Sequence, residues 1–208
     1  MRDWAPERGT HARVVHMRVI SGRFKGFQLP TAKTGTRPTT DRTKEAIFSH
    51  LDSWGVIDDA RVLDLFAGTG ALGIEALSRG AKELVAVEAA GPAATLLGKT
   101  FAALKTSRAW DNGMSARAMR TKAESFAAGY AGPGFDLILI DPPYAMETAA
   151  CNRLLADIVA NGVADPNAII MFERSTRSEP LTAPDGWEIT QSRDYGETAV
   201  VYFERADA

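Results

Sequence analysis

Asp141-Pro142-Pro143-Tyr144 combines groups that suit the activation of an NH2 nitrogen. An exocyclic amine on an aromatic ring is a poor nucleophile because its lone pair is delocalised. Two acceptors that hold both N–H groups draw the nitrogen toward a tetrahedral shape and localise that pair. Asp141 supplies one acceptor and the Pro142 carbonyl the other. Proline has no N–H, and two in succession stiffen the backbone so that the carbonyl points inward. Tyr144 offers a ring on which a base stacks, worth about 1–3 kcal/mol. The tetrapeptide reads as a site for transfer to an amine or amide nitrogen.

A second group of residues suits a nucleoside ligand. Asp64-Leu65-Phe66-Ala67-Gly68-Thr69-Gly70-Ala71-Leu72-Gly73 stands where a first strand turns into a first helix. Small residues there let a ligand approach the backbone, with helix amide groups facing the crevice. Read literally, Gly68 to Gly73 is G-x-G-x-x-G, a pattern shared with nicotinamide enzymes. Glu88, 20 positions beyond Gly68, suits two ribose hydroxyls in either cofactor class. Two features separate the classes. The Asp64 carboxylate suits a sulfonium and an ammonium, and would repel a pyrophosphate. Asp141–Tyr144 stands at the carboxyl end of the fourth strand, across the switch point. The expected cofactor is therefore S-adenosylmethionine, with Asp64, Phe66, Gly68, Thr69, Gly70 and Glu88 around it. Glu124 reads two ways, as an acceptor for the adenine amine or as an exposed acid at a helix start.

Alternating short apolar runs and helical patterns position these groups. Strands are expected at 61–66, 83–87, 116–119, 135–140 and 168–172, with helices over about 70–79, 92–105, 122–128 and 147–161. Repeated β-α units imply an α/β fold, a mostly parallel sheet covered on both faces. The runs 187–193 and 198–204 flank Asp194-Tyr195-Gly196-Glu197, so the sheet should finish in an antiparallel hairpin. Met17–Ile20 and Phe27–Leu29 around Ser21–Gly26 predict a small N-terminal hairpin. A helix over 42–53 follows, capped by Thr40 or Asp41.

The net charge of −2 conceals an asymmetry. Residues 1–44 hold ten Lys/Arg and three Asp/Glu, a charge of +7, while the rest of the chain carries −9. From Arg18 to Lys44 this favours contact with a polyanion. Asp41 and Arg42 read either as a local charged cap at a helix start or, with Arg37 and Lys44, as phosphate contacts beside an extruded base, Asp41 orienting one of the cations. The second reading is favoured, with Arg18, Arg23 and Lys25 extending the surface. Residues 1–16 read as a flexible extension. One cysteine and three scattered histidines argue for a reducing compartment and no metal site. No apolar run approaches the roughly 18 residues of a membrane span. A cytoplasmic monomer is expected.

The stretches Arg37–Phe48, Leu63–Gly73, Asp141–Tyr144 and Tyr195-Gly196 together resemble the bacterial RsmD family, over about Met17 to Glu204. That resemblance implies a class I (Rossmann-like) methyltransferase fold with a small N-terminal β-hairpin. It implies methyl transfer from S-adenosylmethionine to the N2 amine of a guanine in 16S rRNA (guanine 966 in the family), on 30S subunits or assembly intermediates. It assigns Asp64, Gly68, Gly70 and Glu88 to the cofactor, and Asp141, Pro142 and Tyr144 to the guanine. Where family members commonly have Asp, this chain has Glu124, and Tyr144 stands where Phe is frequent. The expected organisation is an extension at 1–16, an RNA-facing segment at 17–53 and the methyltransferase domain at 54–208. Rival readings are a DNA adenine-N6 or cytosine-N4 methyltransferase, a protein-glutamine methyltransferase and a nicotinamide-dependent oxidoreductase. For the DNA rival, 208 residues leave little room for a target-recognition domain.

Overall fold

The computed structural model describes residues 17–30 and 40–206. In chain order the elements are α1 (Asp41–Ser53), β1 (Arg61–Leu65), α2 (Ala71–Ser78), β2 (Glu83–Val87), α3 (Gly91–Lys105), β3 (Ser115–Met119) and α4 (Ala123–Ala128), followed by β4 (Phe135–Ile140), α5 (Thr148–Ala160), β5 (Ala164–Ser175), β6 (Trp187–Tyr195) and β7 (Thr198–Arg205). The strands form one sheet in the order β3-β2-β1-β4-β5-β7-β6. The first five pair in parallel, and β7 runs antiparallel to both β5 and β6. The strand order reverses between β1 and β4, where a crevice opens at the carboxyl ends of the strands.

Alternation along each strand divides the core into two layers. Val62, Leu84, Leu137, Leu139 and Met171 face α1, α2 and α3; Leu63, Leu65, Val85, Ile138, Ile140 and Phe172 face α4 and α5. The α1 layer also takes in Val19, Phe24 and Leu29, so the N-terminal segment shares the main core.

Expectation and structure differ at three places. The N-terminal hairpin is reduced to one antiparallel bridge, Arg18 with Gln28, and three flanking backbone bonds. Strand β5 runs well beyond 168–172, because it pairs from Ala164 with β4 and up to Ser175 with β7. The last hairpin closes on Gly196-Glu197 alone, with Asp194 and Tyr195 still in β6. Thr40 is the N-cap of α1, its side chain accepting from the Thr43 N–H. The extension at 1–16 lies outside the described residues, as does Arg37.

Candidate active site

Strand β1 ends in a constrained turn. Phe66 adopts φ of 62°, uncommon for a residue with a bulky side chain, and Gly68 and Gly70 follow at 54° and 79°. The Ala67 N–H donates to the Val87 carbonyl and the Gly70 N–H to the Ala67 carbonyl, tying the turn to the end of β2. Glu88 braces it from the side: one carboxylate oxygen accepts from the Gly68 N–H at 2.8 Å, the other from the Ala90 N–H at 2.7 Å. Strain of this kind is retained where the surroundings over-determine it, characteristically around ligand sites.

Asp64 lies beneath the turn, 1% exposed. Its carboxylate accepts from the Gly73 N–H at 2.9 Å, in the first turns of α2. Gly73 has no room for a side chain, since a Cβ would stand 2.9 Å from Asp64 Oδ2 and 2.6 Å from Leu84. Burial pushes the Asp64 carboxyl up to about 7. The Gly73 N–H opposes that rise, and the charges of Asp141 and Glu88 add to it. Asp141 follows β4, where Leu65 pairs with Ile140, and burial raises it to about 6. Three acids from β1, β2 and β4 thus converge on one crevice. Such a site favours a cation, and the sulfonium and ammonium of S-adenosylmethionine fit it; the pyrophosphate of a dinucleotide does not.

Beyond Asp141, Pro142 is buried while Tyr144 is 52% exposed, its ring open to an incoming partner. The Pro143 carbonyl accepts from the Met146 N–H at 2.8 Å, closing the loop into a turn. Thr69 is half-buried in the glycine turn. Glu124 is exposed in the first turn of α4, and no hydrogen bond joins it to the three convergent acids.

The basic residues divide. Arg18 and Asp41 form an exposed ion pair at 3.5 Å, with Arg42 exposed beside it. Lys44 is only 3% exposed: its ammonium donates to the Arg18 carbonyl at 2.7 Å and pairs with Glu75 at 3.5 Å. It is a structural cation, which corrects its expected place on a phosphate. Burial lowers its pKa against the pull of Glu75. The hairpin tip docks on the end of α2. The Arg23 N–H donates to the carbonyl of Ser78, the last residue of α2, and its guanidinium meets the Met114 sulfur just before β3. Helix α2 runs back against β1, so its last residue lies at the amino edge of the sheet. Arg23 and Lys25 are thus exposed near that amino edge.

Sequence reasoning passed over Glu75, which is fully buried in α2. It accepts from the Ile20 and Ser21 N–H groups and from Arg79, fastening the N-terminal segment to the domain. The available signal was an acid inside Ala71–Ser78, an otherwise uncharged helix. Glu173 and Arg174, buried at the end of β5, were missed for the same reason.

Residues 17–204 match the family described as Conserved hypothetical protein 95. The chain is 33% identical over 196 residues to the ribosomal RNA small subunit methyltransferase D of Escherichia coli, covering 94% of this chain and 93% of that protein. The solved structure of the E. coli protein yhhF matches with a TM-score of 0.77 at 32% identity, over 91% of this chain and 98% of that one. The magnesium protoporphyrin IX methyltransferase of Synechocystis, solved with bound S-adenosylmethionine, shares the fold at a TM-score of 0.60 and 12% identity, over 79% of each chain. With its mostly parallel sheet, glycine turn and acid-lined crevice, the chain belongs to the Conserved hypothetical protein 95 (RsmD) family, a family of S-adenosylmethionine-dependent methyltransferases.

Proposed function

We propose that this chain methylates the exocyclic N2 amine of a guanine in 16S rRNA, acting on 30S subunits or their assembly intermediates. The observation that carries the reading is the Asp141–Tyr144 loop at the end of β4, facing the glycine turn after β1 across the switch point. Asp64 and Glu88 complement the cationic end and the ribose of the cofactor, and the small residues of the turn admit its body. Asp141 and the Pro142 carbonyl accept the two N–H groups of the amine, and Tyr144 stacks the extruded base. A C–N bond forms as the S–C bond of the methyl donor breaks, leaving a neutral thioether and a positive nitrogen. That nitrogen then loses a proton. Asp141, whose carboxyl burial raises above the ordinary carboxylate range, is the group beside it that receives the proton.

The choice of guanine in 16S rRNA rests on family membership and on the name of the E. coli relative. The exposed Arg18 and Arg42 are the proposed phosphate contacts, with Asp41 orienting Arg18. Arg23 and Lys25, exposed at the hairpin tip, extend that surface. The test is methyl transfer by the purified protein from labelled S-adenosylmethionine to 30S particles, naked 16S rRNA and duplex DNA. The expected product is N2-methylguanosine, formed best on 30S particles. Label in N6-methyladenine or N4-methylcytosine of DNA would refute the reading.

A further inference from the structure

Arg174 lies two residues beyond the last pairing of β5 with β4, Ile140 with Phe172, and therefore beside the start of the Asp141–Tyr144 loop. It is 8% exposed. Its guanidinium reaches along the α5 side of the sheet to three neutral acceptors: the Cys151 sulfur at 2.8 Å, the Met146 carbonyl at 3.3 Å and the Thr148 hydroxyl at 3.4 Å. Among the described residues it makes no salt bridge, and it lies against the first turn of α5, the positive end of that helix. A buried cation in such company is costly, and hydrophobic packing would be the cheaper solution. What the arrangement provides is a strut under the loop. Arg174 holds Met146 by its carbonyl, and the Met146 N–H holds the Pro143 carbonyl, so two hydrogen bonds in series connect the guanidinium to the proline pair.

We propose that Arg174 is a positioning residue for methyl transfer. It fixes the Pro143–Met146 turn, so that the Pro142 carbonyl and the Tyr144 ring hold the amine in line with the methyl group. This rests on the reading of the loop as the reacting loop. Arg174 is buried and spends its hydrogen bonds on Cys151, Met146 and Thr148, so its removal should affect kcat rather than cofactor affinity. A displacement near 1 Å at a reacting centre lowers rate by about 100-fold.

The experiment compares wild type with Arg174→Met and Arg174→Lys, reading kcat on 30S particles, the Kd of S-adenosylmethionine, and amide exchange peptide by peptide. For Arg174→Met we expect kcat to fall about 10- to 100-fold with the cofactor Kd within about twofold. Exchange should quicken in the peptide over 144–151 and stay unchanged in β1 and β2. Arg174→Lys, still able to hold one carbonyl, should recover part of the rate. If Arg174→Met binds no cofactor because it fails to fold, Cys151→Ala takes its place; it removes the acceptor of the shortest of the three contacts and should quicken exchange in the same peptide. Unchanged kcat per cofactor-binding molecule, or exchange that rises evenly across the protein, would overturn the proposal. Wild type inactive on every RNA would instead remove the reading beneath it, a distinct outcome.

Discussion

Replacing Asp64 by asparagine should make the protein more stable and a poorer enzyme. The wild-type carboxyl is held at about 7 against an ordinary 3.8. Between those values the native state keeps a proton that the unfolded chain has released, so stability falls as pH rises through the window. Above pH 7 the full difference applies, about 4 kcal/mol at about 1.4 kcal/mol per pKa unit. Asparagine keeps an acceptor for the Gly73 N–H and carries no charge to bury. Near pH 4 the two proteins should therefore be about equally stable, and at pH 8 Asp64→Asn should lead by up to about 4 kcal/mol. Urea unfolding of the cofactor-free proteins, followed by tryptophan fluorescence, reads this directly. With an m-value of about 2 kcal/mol/M, the midpoints should separate by about 2 M at pH 8 and converge at pH 4. Added S-adenosylmethionine should reverse the order, because its positive charge compensates the ionised Asp64 and stabilises only the protein that binds it. Midpoint curves that stay parallel from pH 4 to 8 would refute the claim that Asp64 is a buried acid kept for a cationic ligand.

Other expectations follow from the same geometry. Asp141→Ala should lower kcat by at least about 1,000-fold while the cofactor Kd changes only a fewfold, measured by single-turnover transfer and calorimetry. Tyr144→Ala should cost about 1–3 kcal/mol in kcat/KM for RNA, and Tyr144→Phe little, if the ring acts by stacking. Glu75→Ala strands the buried ammonium of Lys44 and should destabilise by about 3–5 kcal/mol in urea. By contrast Arg18→Ala and Arg42→Ala should each leave stability nearly unchanged and reduce the salt slope of RNA binding by about 1.

Most of the sheet could be read from the chain because each strand is a short apolar run bounded by turn residues. β2 and β4 fall on their expected residues, and the glycine turn and the Asp141 loop meet at the carboxyl edge as their order in the chain implies. What escaped depends on contacts distant in sequence. The basic run from Arg18 to Lys44 looked uniform, but Lys44 faces an acid 31 positions away on α2 and is drawn into the core. Arg23 turns toward Ser78 and Met114, and no local pattern in the hairpin foretells that. Periodicity likewise put the end of β5 near Phe172, since it does not register the partner β7 that carries the strand on through Arg174. Asp64 was legible as a residue of the cofactor turn; its bond to Gly73 and its raised pKa are products of packing.

The central claim, methylation of a guanine N2 through the Asp141 loop, is tested most directly in cells. Ribosomal RNA from a strain lacking this protein, complemented with wild type or Asp141→Ala, would be digested and its methylated nucleosides mapped by mass. The account predicts one N2-methylguanosine in 16S rRNA that is lost on deletion, restored by wild type and not by Asp141→Ala. An unchanged 16S rRNA methylation map on deletion, or restoration by Asp141→Ala, would contradict it.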